Sequence, residues 1–462
     1  MHLILEATDD SLVISDRSQA VPYGTATAHL WEKAPESGGV ETSWIINLDG
    51  RAHRAFALGL DTSGSQSNYR DCGMRLGRLN TDVPTIAVDL RALSGLCPKD
   101  IGALCEGIAL GTFKPAKRSD QTLRLILSKD VDQSAHQQAA QNGLIIAHWT
   151  NWARDLVERP AADLRPEALA KEIAERAAEL NIGAEIWHEP RMKAEGFGAT
   201  LAVGRGADAA PRVVILQFGS GNRPVGLAGK GVTFDTGGLN LKRDLQEIGY
   251  MKSDMAGAVA VAGALFAAVA LKKAPDVLAV LPMAENMPSG RAMRPGDRVY
   301  HPDNSTTEVM DTDSEGRLLL ADALSWLKRH NVRALIDVGT LSDGGGVGPE
   351  FWGLWSNEES LAAKLTRAGD SAGDPGWYLP LRKERDTLLR SRIGDRSNVA
   401  AGETDSGQIA ACYLSQFVSH TEWAHIDNGS TAWLLRDVGP WPEGATGAPL
   451  RALTQFLCNE TP

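Results

Sequence analysis

Residues Asp311 to Asp322 read DTDSEGRLLLAD, with acids at positions one, three and five, a glycine at six and a carboxylate at twelve. This is nearly the spacing of an EF-hand loop, whose oxygens cage a calcium ion. The flanks decide against it. An EF-hand needs a helix on each side, but HPDNSTTEVM before Asp311 carries a proline, an asparagine and β-branched threonines suited to turn and strand. On the other side, Leu318, Leu319, Leu320, Ala323, Leu324 and Trp326 predict a helix beginning near Arg317, which places Asp322 a turn inside it. The plain alternative is a solvated acidic turn at a helix N-terminus.

A second stretch argues for more than a solvated turn. Gly229 to Lys242 reads GKGVTFDTGGLNLK: a lysine, an aspartate five residues on, a double glycine, and another lysine twelve after the first. A short strand running into a Gly-Gly turn leaves Asp235 at a strand end. The stretch is not a phosphate loop, because Pro224 stands where the first glycine of GxxxxGK[ST] belongs and Gly231 where a hydroxyl should hold magnesium. GRGADA at Gly204 imitates a dinucleotide loop only weakly and reads as an ordinary turn. A third stretch, MKSDMAGA, sets Asp254 ahead of an alanine-rich helix, where alone it would be an N-cap. Together Asp235, Asp254, Asp313 and Glu315 place carboxylates near expected strand or helix ends, in a chain without HExxH or a Cys-His cluster. Carboxylates gathered in this way repel one another and raise their own pKa values unless cations neutralise them, and two divalent ions would do so.

The elements that must position these residues form an α/β chain. At 462 residues two domains are expected: a smaller N-terminal α/β domain over 1–135, a linking helix and hinge over 136–165, and a larger C-terminal α/β catalytic domain over 166–462. Ile145, Trp149, Trp152 and Leu156 recur at helical spacing, and Pro160 and Pro166 in ERPAADLRP end that helix. Beyond it, RVVILQF, VLAVLP and RALIDVGTL alternate with helical stretches, which predicts a central mixed, largely parallel sheet flanked by helices, with ligands at strand ends. The uncharged run Met255 to Leu271 is rich in alanine and glycine and reads as a buried helix, not a membrane span.

A net charge of −11 weighs against a nucleic-acid surface spread over the whole molecule. The five cysteines, Cys72, Cys97, Cys105, Cys412 and Cys458, never adopt CxxC spacing, so neither a disulfide framework nor a thiolate zinc site is expected and a reducing cytoplasm fits. Glu6, Asp9 and Asp10 interrupt the N-terminus before a secretory apolar region develops, so no export signal is expected.

DTDSEGRLLLADAL resembles the signature NTDAEGRLxLADAL of the leucyl aminopeptidases, two-metal exopeptidases of the cytosol, with Asp311 in place of asparagine. GKGVTFDTGGLNLK and MKSDMAGA resemble the other metal-site blocks of that family, and weaker similarity runs from NWARDLVERPAADL through ENMPSGRAMRPGD to WAHIDNGSTAW, over roughly residues 144 to 457. The resemblance implies that Lys230, Asp235, Asp254, Asp313 and Glu315 ligate two divalent ions, with Asp235 and Glu315 bridging. It implies that Lys242 and Arg317 are the catalytic pair, the arginine holding a bicarbonate that acts as base. Met251, Thr340, Leu341 and Asp343 then fall in the pocket for the first side chain. One amine and several carboxylates suit manganese, zinc, magnesium or cobalt. The resemblance further implies a homohexamer acting on peptides with a free N-terminus, with no membrane partner. His425 in WAHID reads as a structural core residue.

Three departures stand out. The family's TLTGA reads TLSDG at Thr340 to Gly344, which puts Asp343 where glycine is expected and leads us to expect a shift toward basic or polar first residues. Asp311 adds an acid that either tightens ion binding or bonds a backbone amide. In NVAAGETDSGQIAA the family's Gly-Gly-Arg has become Ala-Ala-Gly. Two other functions on the same fold are a DNA-binding accessory protein, which the acidic balance disfavours, and an inactive scaffold, which the intact ligand set disfavours.

Overall fold

In VLAVLPMAEN, residues 277–286, all ten side chains are buried, as expected of a strand covered on both faces. The structure is a computed structural model of the 462-residue chain. It describes residues 1–7, 43–48, 51–56, 66–79, 85–90, 96–116, 121–128, 131–220, 223–400, 402 and 406–460. Asp9 and Asp10 of the N-terminal reading, and Ala401 of the Ala-Ala-Gly segment, lie outside the described residues.

The chain divides into two compact units, 1–151 with 439–441, and 152–438 with 442–462. In the first, β1 (His2–Ala7), an antiparallel pair β2 (Ser43–Leu48) and β3 (Arg51–Phe56), α1 (Gln66–Leu79), β4 (Thr85–Asp89), α2 (Pro98–Gly111) and β5 (Thr122–Leu127) follow one another. LRLILS thus forms β5, which pairs in parallel with both β1 and β4. Helices α1 and α2 approach at backbone distance because glycine occupies the crossing. A Cβ on Gly107 would lie 2.0 Å from the Arg70 carbonyl oxygen. Helix α3 (Gln133–Glu158) carries the expected Ile145, Trp149, Trp152 and Leu156 and ends before Pro160.

In the second unit α4 (Pro166–Glu179) and β6 (Gly183–Trp187) precede short helices α5 (Glu189–Glu195) and α6 (Gly198–Gly204); GRGADA is the turn that ends α6. The strands β7 (Arg212–Phe218), β8 (Val225–Gly229) and β9 (Gly231–Asp235) come next. They are followed by α7 (Leu245–Gly249), a 3-10 turn over Met251–Met255, α8 (Ala256–Ala270) and β10 (Val277–Asn286). Two short strands, β11 (Arg298–Tyr300) and β12 (Thr306–Glu308), lead to α9 (Gly316–Leu327) and β13 (Ala334–Gly339). The chain closes through β14 (Trp352–Ser356), α10 (Glu359–Ala372), β15 (Gly376–Tyr378), β16 (Arg396–Ser397), α11 (Ser406–Ser415), β17 (Glu422–Asp427), α12 (Gly429–Ala432) and α13 (Leu450–Asn459).

The main sheet runs β15-β14-β17-β13-β8-β10-β7-β6, with β9 also paired to β10. Its centre is parallel; antiparallel pairs flank it, through β7 and β6 on one side and β14 against β17 on the other, where β15 adds a parallel edge strand. The parallel strands end together, so Lys230, Asp235, Asn286, Thr340 and Asp427 gather at one edge of the sheet. Helix α8 is apolar on every side and almost wholly buried, which settles the uncharged run as a core helix. It rests on β13 through Gly257, where a Cβ would lie 2.3 Å from the Val338 carbonyl oxygen.

The calcium reading fails on structure as it does on sequence. Asp322 is fully buried inside α9, where it accepts hydrogen bonds from the Thr200 amide (2.8 Å), the Thr200 hydroxyl (2.9 Å) and His301 Nδ1 (2.8 Å). His301 Nε2 in turn meets Thr307 Oγ1 at 2.8 Å, which fixes α9 against α6 and β12. Replacing Asp322 with alanine strands these donors in an apolar interior, so we expect a loss of about 3 kcal/mol in equilibrium unfolding with urea. An unchanged midpoint would show that the network contributes nothing.

Candidate metal centre

Short local rules place each functional side chain. Strand β9 delivers Asp235, and the chain then turns through Gly237 (φ +86) and Gly238 (φ +67), a left-handed pair suited to glycine. The Gly237 amide donates to Asp235 Oδ1 at 2.9 Å, and the Lys242 amide returns to the Thr236 carbonyl at 2.9 Å, bringing Lys242 back beside the strand end. From the next strand, Asn286 Nδ2 donates to Asp235 Oδ1 (2.7 Å) and to the Thr312 carbonyl (2.9 Å). Thr312 Oγ1 donates to the Gly237 carbonyl at 2.7 Å, so the glycine turn and the acidic loop interlock.

The acidic loop shapes itself. Asp311 Oδ1 accepts from the Asp313 amide at 3.0 Å and Oδ2 from the Ser314 hydroxyl at 3.1 Å, so the acid that replaces asparagine is a turn former bonding a backbone amide. Glu315 opens α9, and Gly316 behind it must lack a side chain, because a Cβ there would lie 2.4 Å from Lys230 Cε. Asp254 does not cap α8. Its Oδ1 accepts from Lys230 Nζ (2.7 Å) and from the Thr340 hydroxyl (2.5 Å).

Two ammonium groups stand among the acids. Lys230 Nζ lies 2.7 Å from Asp254 and 2.9 Å from Glu315, and donates to the Thr340 carbonyl at 2.8 Å. Lys242 Nζ lies 2.6 Å from Asp313 and 3.1 Å from Asp235. Burial alone would lower both lysines, but the surrounding carboxylates outweigh it and hold both above the ordinary lysine value. Burial raises Asp254 and Glu315, and their acidic neighbours add to it against the opposing pull of Lys230.

One oxygen each of Asp235, Asp313 and Glu315 lies within 4.8 Å of the other two. Asp254 Oδ2 and Glu315 Oε2 are buried without a hydrogen-bond partner. Glu315, 1% exposed, is no solvated acid. Hard oxygen donors left unsatisfied at such spacing are what divalent cations require, so the residues fit a metal centre.

All these groups line one cleft of about 640 Å³. Met251, from the 3-10 turn, and Thr340, Leu341 and Asp343, from the loop after β13, form part of its wall. Asp343 is exposed, and its Oδ1 accepts from the Gly346 amide at 3.1 Å. Arg317 reaches the cleft from α9 while 3% exposed. Its Nη1 donates to the Asn398 carbonyl at 2.9 Å, and its Nε has no partner among the described residues. Burial pulls this guanidinium below its ordinary value. His425 lies outside the cleft lining, fully buried, with Nδ1 2.6 Å from Asp337 and its ring stacked near Trp355 and Trp423. Sequence reasoning overlooked Asn286, Thr312 and Asn398. Their work is done across long separations, and a lone side-chain amide or hydroxyl has no spacing that announces it.

Residues 151–454 match the family model described as cytosol aminopeptidase family, catalytic domain. The chain belongs to this family. A "Probable cytosol aminopeptidase" from Syntrophotalea carbinolica is 37% identical over 376 residues, covering 78% of this chain and 75% of that protein. One from Geobacter sp. strain M21 is 33% identical and covers 94% of this chain and 92% of its own length. Among solved structures, the bottromycin maturation enzyme BotP in complex with Mn superposes with a TM-score of 0.85 at 31% identity, covering 99% of this chain and 98% of that one. As a cytosol aminopeptidase family member, the protein is a metal-dependent aminopeptidase, a hydrolase of peptides.

Burial, then Asp235 and Glu315, raises Asp313 from 3.8 to about 7 against the pull of Lys242. The folded, metal-free chain therefore keeps a proton that an unfolded aspartate releases near its ordinary value. The stabilisation from that proton is complete below pH 3.8 and is lost as pH rises toward 7. Calorimetric scans of chelator-treated protein should show Tm falling across this window, and Asp313→Asn should flatten the fall. A wild-type Tm that rises there instead would refute the electrostatic account.

Proposed function

We propose that this aminopeptidase seats two divalent cations among Lys230, Asp235, Asp254, Asp313 and Glu315, with Asp235 and Glu315 shared between them, and releases the first residue of a peptide. When bound, such a pair supplies an activated water, a Lewis acid for the scissile carbonyl and a seat for the free α-amine. The observation that carries the reading is the approach of three carboxylates to within 4.8 Å. The two orphaned acid oxygens beside them add to it. Manganese or zinc suits this donor set best, with magnesium or cobalt also compatible.

The side chains divide the remaining work. Lys230 must surrender its proton to serve as a ligand, which nearby dications favour. Lys242 keeps its proton and directs an ammonium at the carbonyl oxygen as negative charge develops there. Arg317 retains donors beyond its bond to Asn398, which suit a planar oxyanion such as bicarbonate in the role of a borrowed general base. The cleft wall at Met251, Thr340, Leu341 and Asp343 receives the first side chain, and the Asp343 carboxylate there favours basic or polar residues. Assembly as a homohexamer in the cytoplasm accords with the family resemblance.

Glu315→Ala should lower turnover of aminoacyl amides roughly a thousandfold, about 4 kcal/mol of barrier. The same variant should lose Mn²⁺ stoichiometry in calorimetry; full activity would mean the site is misassigned. For specificity, Asp343→Gly should raise turnover of a leucyl reporter relative to lysyl and arginyl ones. An unchanged ranking would remove Asp343 from the pocket.

A further inference from the structure

Asn398 follows β16 directly and is fully buried. Its Oδ1 accepts from the amides of Met310 (2.8 Å) and Asp311 (3.3 Å). Its Nδ2 donates to the carbonyls of Asp311 (2.6 Å) and Ser314 (3.2 Å). One side-chain amide thus grips the loop on both sides of Asp313. The main chain of the same residue is fixed separately: its N–H donates to the Glu308 carbonyl at 3.1 Å, extending the β12–β16 pairing, and its carbonyl accepts from Arg317 Nη1 at 2.9 Å. The loop already has its own closure in the bonds from Asp311 to Asp313 and Ser314. Asn398 adds a common reference from a point 84 residues along the chain from Ser314 and 81 from Arg317.

We infer that Asn398 is a positioning residue that sets the acidic loop and the Arg317 guanidinium in one frame, so that the group accepting the water's proton stands at a fixed distance from the carboxylates. This rests on the reading of Arg317 as holder of the base. Proton transfer demands heavy atoms about 3 Å apart, and a displacement of about 1 Å costs roughly a hundredfold in rate. Truncating the side chain frees the loop while the carbonyl that holds Arg317 stays on its strand, so the two halves lose register. A residue that merely satisfied buried backbone groups would lower Tm or metal affinity without coupling to Arg317.

The test is a double-mutant cycle on Mn²⁺-saturated full-length enzyme with Asn398→Ala, Arg317→Ala and the double variant. Mn²⁺ calorimetry and thermal unfolding are run on each. Asn398→Ala should lower kcat about 30- to 100-fold with KM within about threefold of wild type, at wild-type Mn²⁺ stoichiometry. In the Arg317→Ala background the same change should cost less than about threefold more. Asn398→Ser, which keeps one hydroxyl donor, should fall between alanine and wild type, and it decides the question if the alanine variant does not fold. Losses that multiply in the double variant, a kcat restored by excess Mn²⁺, or a wild-type kcat in the folded variants would overturn the inference. Wild-type kcat in Arg317→Ala alone would instead overturn the reading of Arg317.

Discussion

Acids brought into a buried cleft must be balanced by positive charge, and the second unit is organised around that requirement. Asp235, Asp254, Asp313 and Glu315 come from separate segments of the chain, and Lys230 and Lys242 thread between them at distances of 2.6 to 3.1 Å. Two ammoniums leave charge unbalanced, which is why burial and mutual repulsion raise Asp254, Asp313 and Glu315 together. That residual charge fits the metal dependence of the family. Stability of the site and readiness to take cations are two aspects of one electrostatic imbalance.

The scaffold meets this requirement by ending parallel strands at one level. Strands β8, β9, β10 and β13 deliver Lys230, Asp235, Asn286 and Thr340 to a single edge, while α9 brings Glu315 and Arg317 from behind the acidic loop. Close approach has steric conditions too. Gly237 and Gly238 let the chain reverse directly after Asp235, and Gly316 leaves the space through which Lys230 reaches Glu315. Further from the centre, the buried bonds of Asp322 to Thr200 and His301 fix the axis of α9, so the carboxylate that mimicked the end of a calcium loop holds the helix behind Glu315 in place.

Much of the site was legible because its residues travel in short blocks. GKGVTFDTGG, MKSDMAGA and DTDSEGR each carry their acids within a few positions of a strand or helix end, and spacing over such distances is a local property. The strands RVVILQF and VLAVLP were visible for the same reason, since a buried strand is a continuous apolar run. The sequence leaves Asp311 between ion and amide, and only the folded loop shows its Asx turn to Asp313. Asn286 and Asn398 were invisible, because each acts on segments 26 or more residues away through an amide that is unremarkable in sequence.

The sequence by itself determined which groups have the chemistry and which short turns present them, because propensity and spacing act over one or two turns of chain. Only the tertiary structure decided that four acids share one cleft and that one asparagine ties a loop to an arginine. It alone showed that Asp343 lies exposed with its carboxylate on the Gly346 amide. Those outcomes depend on strand order and on hydrogen bonds between distant segments, where the energy comes from burial and packing that no local pattern encodes.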